Sequence, residues 1–422
     1  MKRYGKIAII SVLLLVPGVF AQLSFDARSA GMANSNTADA KGLEQVGTNP
    51  ATLALYRPFN FEFNLLTANI SVFNNSLSKG LYDRYFTTGD SLTAADKNEI
   101  LNAIDESGLK GFFWAKFNTL AFYARNLSLS LAVVGNGFLE APKDMLELPL
   151  KGNVDIDRTY QIGNFDGEAW LGMAATLGIS RPLELDFLED YFDFFAVGVA
   201  FKYLAGLVYA EVEDSRGEFY NGRDFLALDS QMRLRYARGG NGIAFDLGFV
   251  GQYEEKWMVS LALINPIGSI RWNKETTQRI FSIKADSLSF PDRMADSLFV
   301  ESDTSITIGA FSSRLPAVLD LAVAYRWNNQ LLITGEYEQG LNRSMGGTTT
   351  PRLAVGVEYT GFPIIPLRAG ISVGGKTGFT FAFGAGIDLK VWFIDVGFMN
   401  RGAITPGGSK GFTLAVTSRF RF

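Results

Sequence analysis

Short stretches of this chain alternate strictly between bulky apolar residues and small residues. The alternation is clearest over residues 197–203, 243–249, 319–327, 353–359 and 379–388, where bulky residues occupy almost every second position. Because successive side chains of a β-strand point to opposite faces, a repeat of two indicates strands with one bulky and one small face. The pattern therefore predicts an all-β protein.

The small-residue faces separate two kinds of β protein. In a soluble β-sandwich or propeller, the apolar face points inward and the outer face is richly polar. Here the second face carries mostly Gly, Ala, Ser and Thr, which suits the crowded interior of a closed barrel whose bulky residues contact lipid. Several bulky rows also end in an aromatic residue, as in the girdles of membrane proteins. These residues are Tyr203, Tyr253, Tyr325, Trp327, Tyr337 and Tyr359. The pattern favours a transmembrane β-barrel over a soluble fold.

The number of such segments gives a strand count. The candidate strands are residues 59–73, 111–124, 127–137, 164–180, 194–211, 218–238, 242–254, 256–265, 315–327, 329–339, 350–360, 365–374, 378–389, 391–399 and 410–422. One of them is expected to be a loop or a split strand, and 268–284 is a further candidate. Single-chain bacterial barrels have an even number of strands, and lipid leaves no backbone group unpaired. We therefore predict a closed antiparallel transmembrane β-barrel of about 14 strands.

Connections between the strands differ in length. Tight turns are predicted at Asn328-Asn329, at Gly374-Gly375 and from Asn400 to Gly402. Longer charged segments cover residues 74–110, 138–163 and 270–314, and they are interpreted as loops on the outer surface.

Two helices are predicted outside the strands. Thr93 and Asp96 form a weaker version of a capping box, and apolar residues at helical spacing follow them. A second short helix is predicted between Leu183 and Phe192.

The amino terminus has the pattern of a secretory signal. Lys2, Arg3 and Lys6 precede an apolar run from Ile7 to Val16, which is shorter than the roughly 20 residues of a spanning helix. We expect cleavage after about Ala21, the alternative being an uncleaved anchor. The chain then divides into a signal peptide (1–21), a polar lead (22–58) and a strand-rich remainder (59–422).

Composition excludes several classes of function. The 422 residues include no Cys and no His, so neither a disulfide framework nor a Ser-His-Asp triad nor a His- or Cys-ligated metal can form. The formal net charge of −4 gives no basic field for nucleic acid. We predict no catalytic residues, no cofactor and no metal site, and we do not expect a nucleic-acid partner.

One motif is misleading. Residues 370–377 (GISVGGKT) satisfy the P-loop pattern, which requires a strand, a loop and then a helix. The residues after Thr377 alternate like a strand, so the sequence predicts a hairpin turn there.

Six charged residues lie on the small-residue faces. They are Asp246, Asp320, Glu336, Glu358, Arg368 and Asp388. Lipid exposure of a charge is costly, about 2–4 kcal/mol for Arg or Lys at the midplane, so we expect these groups in the lumen. They either form a network that rigidifies the barrel or line a conduit.

Residues near both ends carry a family resemblance. Residues 25–34 (FDARSAGMAN), 38–40 (ADA) and 48–54 (TNPATLA) resemble the opening of the long-chain fatty-acid transporter superfamily, and the PorV-type secretion barrel opens similarly. Residues 92–97 and 366–370 are similar to an uncharacterised subfamily of these barrels. The aromatic C-terminal residues Phe420 and Phe422 resemble the signal by which outer-membrane barrels are recognised for assembly.

The resemblance implies that the polar lead forms a hatch with a specific turn. In the transporters the lead folds into a small hatch inside the barrel, and its Asn-Pro-Ala turn corresponds to Asn49, Pro50 and Ala51 here. The alternative is a simple turn into the first strand. The transporters have Asp-Asp after the Ala stretch, whereas this chain has Asp39-Ala40-Lys41-Gly42, which puts a gating role of that acid in doubt.

The resulting expectation is an outer-membrane protein of a Gram-negative-type bacterium. The resemblance implies a passive channel for small hydrophobic compounds. The alternative is a non-transporting surface barrel for secretion or attachment that binds a surface protein. A barrel hydrolase is disfavoured by the lack of His. The expected partners are outer-membrane lipid, the barrel assembly machinery, and either a small hydrophobic ligand or a surface protein.

Overall fold

A computed structural model describes residues 26–89, 91–152, 155–289 and 300–422 of the chain. The predicted signal peptide (1–21) and Phe25 lie outside the described residues.

The strands account for most of the described chain. They are β1 (Phe61–Asn74), β2 (Leu109–Ala124), β3 (Leu127–Ala141), β4 (Arg158–Gln161), β5 (Asp166–Pro182), β6 (Phe194–Asn221), β7 (Phe225–Ala237), β8 (Gly240–Tyr253), β9 (Trp257–Trp272), β10 (Thr277–Ser289), β11 (Val300–Thr307), β12 (Phe311–Arg314), β13 (Val318–Arg326), β14 (Leu331–Gly340), β15 (Arg352–Tyr359), β16 (Leu367–Gly374), β17 (Thr380–Asp388), β18 (Trp392–Arg401) and β19 (Gly411–Arg421).

The helices are short. The α-helices are α1 (Ala27–Gly31), α2 (Lys79–Tyr82), α3 (Ala94–Ala103), α4 (Lys143–Lys151) and α5 (Asp186–Glu189). Single 3₁₀ turns cover Gly42–Gln45, Pro50–Ala54, Ser344–Gly346 and Pro406–Gly408, and a π-helical turn covers Asp83–Thr87. Among the described residues, no helix is both long enough and apolar enough to span a bilayer.

Fourteen of the described strands form one closed antiparallel ring. Their order is β1, β2, β3, β5, β6, β8, β9, β13, β14, β15, β16, β17, β18 and β19. The ladder between β19 and β1 closes the ring, with Gly411 opposite Phe73 and Arg421 opposite Glu62. The predicted closed barrel of about 14 strands is therefore confirmed.

The fourteen strands of the ring form the barrel wall, and the two faces of this wall have the predicted orientation. Bulky residues such as Val199, Ile243 and Leu353 are 45–57% exposed on the outside of the ring. Polar and small residues such as Thr413 and Ala415 are fully buried on the inside. This inverted distribution is that of a membrane barrel, in which the outer surface contacts hydrocarbon.

The two ends of the barrel differ. One end carries the start of β1 and the end of β19, and we call it the terminus end. Its connections are residues 125–126, 183–193, 254–256, 327–330, 360–366 and 389–391. The opposite end, the loop end, carries the predicted long segments. The interpretation of residues 270–314 as a loop is wrong in part, because β10, β11 and β12 lie within them. Unequal ends of this kind are typical of outer-membrane barrels, whose longer loops are extracellular.

One predicted turn is wrong. Instead of a tight turn from Asn400 to Gly402, β18 continues through Arg401, and residues 402–410 form the connection. The side-chain amide of Asn400 donates to the carbonyls of Ala403, Ile404 and Thr405, and these bonds stabilise a wider loop.

The other local predictions agree with the structure in most respects. β16 and β17 form a hairpin across the P-loop-like segment, and Gly374 and Gly375 take φ angles of 86° and 62° that favour glycine. The capping box of Thr93 and Asp96 starts α3. The second helix, α5, is only four residues long and covers part of the predicted range.

Several strands extend beyond the ring at the loop end. β6 has 28 residues; its first part pairs with β8 up to Gly206, whereas residues 209–221 pair with β7. β7 pairs in turn with β10, and β10 with β11, while β4 pairs with the far end of β6. We call this projecting sheet the arm. The candidate strand 218–238 belongs to it and not to the wall, which explains the odd number of candidates.

Candidate functional site: a plugged lumen with an apolar cluster

Residues 26–55 lie inside the barrel and are here called the plug. They contact distant parts of the wall at once. The amide of Ala27 donates to Thr417 on β19 at 3.1 Å, and Gln45 donates to Ser128 on β3 at 2.7 Å. The hydroxyls of Ser35 and Thr334 on β14 are 2.7 Å apart. Since these strands surround the lumen, the plug spans its cross-section.

The turn at Asn49, Pro50 and Ala51 is docked on the wall. Asn49 caps the 3₁₀ turn by accepting from the amide of Ala51 at 2.9 Å, and its side-chain amide donates to the carbonyl of Phe249 at 3.0 Å. Asn before Pro favours the extended backbone that Asn49 adopts. The segment is therefore more than an entry into β1, which begins only at Phe61.

Arg28 in α1 links the plug to the wall through a buried ion-pair cluster. Its Nε donates to Glu358 on β15 at 2.7 Å, and its two terminal nitrogens donate to Glu44 at 2.9 Å and to Asp39 at 2.8 Å. Its side chain is 2% exposed. Arg368 on β16 shares Glu358 at 2.7 Å. The cluster is thus built from both plug and wall.

Asp39 is held ionised within this cluster. Burial alone would raise the pKa of its carboxyl, but Lys41, Arg28 and Arg57 outweigh burial and hold that pKa below its ordinary value. Ala40 stands where the transporter motif has its second acid, and Lys41 follows it with its Nζ 3.0 Å from Glu358. The departure from the motif thus adds a cation to the cluster.

The predicted lumen charges fall into separate places. Glu358 and Arg368 pair with each other in the ion-pair cluster around Arg28, as described above. Asp246 on β8 accepts from Lys202 on β6 at 2.6 Å, away from that pair along the wall. Asp320 and Glu336 belong to the group described next. Asp388 is exposed, because it ends β17 at the terminus end and accepts from the amide of Lys390 in the following turn. No single row of charges therefore lines the lumen.

A group of three carboxylates is the best candidate for a cation among the described residues. Oxygen atoms of Asp320, Glu336 and Glu338 lie within 4.8 Å of one another. Carboxylate sets suit hard cations. However, the guanidinium of Arg352 already lies 3.1 Å from Glu336 and 2.8 Å from Glu338 and supplies positive charge there.

Nearer the loop end, the lumen becomes apolar. An apolar cluster of inward-facing residues occupies this region; we call it the upper cluster, and it comprises Trp170, Leu204, Tyr209, Ile270, Trp272 and neighbouring residues, including Met345. Trp170 is eight residues along β5 from Gly178, which faces the plug, a distance of about 26 Å along the strand. The rings of Tyr209 and Trp272 are 5.1 Å apart. The upper cluster therefore lies between the plug and the loop end.

The upper cluster is not among the features predicted from the sequence. Its signal was present, since Trp170 and Trp272 are large residues on faces otherwise made of small ones. The bulges of β6 and β9 hide it, because each bulge shifts the alternation part-way along the strand.

Lys376 extends from the β16–β17 turn over the inner rim. Its ammonium lies 4.9 Å from the ring of Phe112 and 5.2 Å from that of Phe138. Burial lowers the pKa of Lys376 to about 8, with Glu140 acting in the opposite direction. At the loop end of the lumen, the ammonium of Lys376 therefore lies next to two aromatic rings.

A cavity of about 580 Å³ lies among the loops. It is bordered by charged residues of α4 and β4, including Lys143, Asp144 and Arg158. Arg158 is neutralised there by Asp144 and Glu147. The cavity is therefore polar, unlike the upper cluster.

The carboxyl-terminal residues lie at the seam of the ring. The carbonyl of Phe422 accepts from the amides of Asn60 and Phe61, and Phe420 stacks on Trp392. Ser418, which interrupts the apolar row, accepts from the indole of Trp392 at 2.9 Å.

Comparisons with known proteins agree with this architecture. The model of a family described as "Family of unknown function (DUF5723)" matches residues 50–239 and 229–396. No curated protein matches the sequence significantly. The resemblance in the sequence is nevertheless confirmed at the level of the fold by solved structures of FadL-type barrels.

Three solved structures illustrate the likeness. The Ralstonia pickettii toluene transporter TbuX is 12% identical with a TM-score of 0.53, over 97% of this chain and 100% of that one. A Pseudomonas aeruginosa FadL homologue is 13% identical with a TM-score of 0.54, over 96% and 99%. The CymD monoaromatic hydrocarbon channel is 9% identical with a TM-score of 0.56, over 96% and 99%. At these identities the likeness concerns the fold alone.

Proposed function

Because this chain belongs to DUF5723, a family of unknown function, we propose its activity from the architecture: it is a passive outer-membrane channel for small hydrophobic compounds. The upper cluster is the observation that carries the proposal. A channel for ions or sugars needs a polar, water-filled lumen, whereas an apolar solute is stabilised by an apolar, aromatic lining. Trp272 is fully buried in this lining, with its indole donating to Ser313 at 2.6 Å.

The same proposal gives the plug and the export signal their roles. The plug blocks the lumen on the terminus side of the upper cluster, so a bound compound passes only when the plug rearranges. The basic and apolar pattern of residues 1–21 directs export, with cleavage after about Ala21. The relatives TbuX and CymD, named as a toluene transporter and a monoaromatic hydrocarbon channel, support the size class of the compound.

The test uses a compound that the polysaccharide layer excludes. Labelled p-xylene is supplied to Gram-negative cells with intact lipopolysaccharide, with and without the barrel, and its binding to the purified protein is measured in parallel. We expect faster uptake and saturable binding with the barrel. Ile270→Asn should reduce both, whereas Ile243→Ala on the lipid face should reduce neither. Uptake equal to that of cells without the barrel, together with no binding, would refute the proposal.

A second candidate is a surface barrel that binds a protein in secretion or attachment. The arm favours it, because its outermost strand β11 is exposed along its length and pairs only with β10 among the described residues. A stoichiometric surface protein that is lost when β11 is deleted, with no p-xylene binding, would favour this candidate over the channel.

A further inference from the structure

Two neighbouring residues in the lumen each carry a buried polar atom, one a donor and the other an acceptor. In the part of the chain that the structure describes, neither Nε1 of Trp170 nor Oδ1 of Asn136 has a hydrogen-bond partner. Both side chains are only 7% exposed. Trp170 and Asn136 are direct partners in the ladder between β5 and β3. A residue with an unpaired donor is therefore opposite a residue with an unpaired acceptor.

Both side chains point into the lumen. Trp170 shares its face of β5 with Gly178, and a Cβ added to Gly178 would contact Leu53 of the plug. Directly opposed residues of antiparallel strands point to the same face, so Asn136 also faces inward. Gly172, next to Trp170 on this face, leaves room for the indole, since a Cβ there would lie 2.8 Å from the ring.

An unpaired buried donor is costly, and most buried polar groups in folded proteins have a partner. Trp272 in the same cluster follows this rule through Ser313, and Tyr209 follows it by donating to Glu168 at 2.8 Å. Trp170 is the member of the upper cluster whose N–H lacks a partner within the described chain. The partner must then come from outside the described residues.

We propose that Trp170 and Asn136 form the polar end of a binding site for a small apolar compound that carries an uncharged hydroxyl group. The hydroxyl oxygen accepts from Nε1 of Trp170, and its proton is donated to Oδ1 of Asn136. The apolar body of the compound contacts Leu204 and Tyr209 of the upper cluster. This inference rests on the proposed channel function, because the compound enters through the same lumen.

Charge near the site selects against an acid. Glu168 lies two residues from Trp170 on the same face, and Glu211 is opposite Glu168 in the ladder with β6. The hydroxyl of Tyr209 donates to Glu168 at 2.8 Å and lies 3.0 Å from a carboxylate oxygen of Glu211. Arg235 already pairs with Glu211 at 2.5 Å and with Glu213 at 3.0 Å. A ligand carboxylate would therefore be buried here beside acidic side chains without a cation of its own, which is costly, whereas a neutral alcohol or phenol would not carry that cost.

The test compares three probes of nearly equal shape: p-cresol, p-xylene and 4-methylbenzoate. Their equilibrium binding to the purified full-length barrel is measured with labelled compounds. One net hydrogen bond predicts that p-cresol binds about fivefold more tightly than p-xylene. Binding of 4-methylbenzoate should be the weakest.

Two variants assign the preference to the site. Trp170→Phe removes the N–H but keeps an aromatic ring, and it should reduce the p-cresol preference to about one, because binding of p-cresol weakens by about fivefold more than binding of p-xylene. Asn136→Leu should act in the same direction. The matched control is Trp272→Phe, since the N–H of Trp272 already has Ser313 as acceptor. It should leave the preference intact. Each variant is checked for folding by gel electrophoresis of unheated and heated samples. A folded barrel migrates faster in the unheated sample and more slowly after heating has unfolded it.

The outcomes separate this inference from the proposed function. Equal binding of p-cresol and p-xylene by the unaltered protein would mean that water alone fills the polar end, and it would overturn the inference while the channel stands. A preference that persists in Trp170→Phe, or equal binding of 4-methylbenzoate and p-cresol, would overturn it as well. Failure of all three probes to bind would refute the channel and the inference together.

Discussion

Gly198 on β6 and Gly248 on β8 are direct partners in the barrel wall. They form a surface without side chains, here called the seat, which contacts the Asn49-Pro50-Ala51 turn of the plug. A Cβ on either glycine would overlap the turn: on Gly198 it would meet the backbone of Pro50, and on Gly248 the side chain of Asn49. The close approach of plug and wall therefore requires that neither strand carries a side chain at this level.

A side chain in this seat should displace the plug. Gly248→Val is expected to leave the ring closed but to lift the turn from the wall, which opens a path beside the plug. Single-channel conductance in planar bilayers should rise above that of the unaltered protein. Gly335→Val is the control, because a Cβ there makes only ordinary contact at 3.5 Å. Equal conductance of the two variants would contradict the assigned role of the seat.

Removal of the guanidinium of Arg28 should loosen the plug. Arg28→Gln leaves Glu358, Glu44 and Asp39 as buried acids without their shared cation, and breaking such a cluster costs about 3–5 kcal/mol. Hydrogen exchange of residues 26–55 should accelerate accordingly. Arg84→Gln removes an exposed, solvent-screened pair with Glu99 and is expected to leave the exchange of residues 26–55 unchanged. Unchanged exchange in Arg28→Gln would show that the plug is held by packing alone.

Acid should loosen the plug only at low pH. The pKa of Asp39 is lowered from its ordinary value of 3.8 in the folded protein. Its contribution to stability is therefore fully present above pH 3.8 and is lost as the pH falls through the lower folded pKa. Hydrogen exchange of the plug, corrected for the intrinsic rate, should be constant from pH 7 to 5 and should rise below pH 3.8. Asp39→Asn should flatten this rise, and release of the plug near pH 6 would argue against the assignment.

Loss of the terminal aromatic residues should impair assembly. Phe422→Ala combined with Phe420→Ala removes the ring contacts with Phe61 and Trp392 at the seam between β19 and its neighbours. Steady-state amounts in the outer membrane should fall several-fold, as measured by quantitative blotting of membrane fractions. Phe412→Ala, on the same outer face but at the loop end, should have a smaller effect. Equal losses would indicate that lipid-facing area matters and that the terminal position does not.

Alternation like that of residues 197–203 and 353–359 predicted the orientation of the faces. The number of such segments, together with the even strand number of bacterial barrels and the need to pair every backbone group in lipid, predicted closure and about 14 strands. This success has a local cause, because lipid outside and a crowded lumen inside constrain every second residue along each strand. The odd candidate, residues 218–238, contains the end of β6 and the whole of β7, and the sequence could not assign it to the arm. Its pairing depends on where β6 leaves the wall, which is a non-local event.

The amino-acid sequence by itself determined the closed barrel, the small-residue lumen and the Asn49-Pro50-Ala51 turn, because each follows from local alternation or from a contiguous motif. Only the tertiary structure decided that Arg28 meets Glu358, that Gly198 and Gly248 form one seat, and that Trp170 and Asn136 are adjacent. These residues are far apart in the chain, and bulges shift the register between them. Their contacts exist only once the ring closes around the plug.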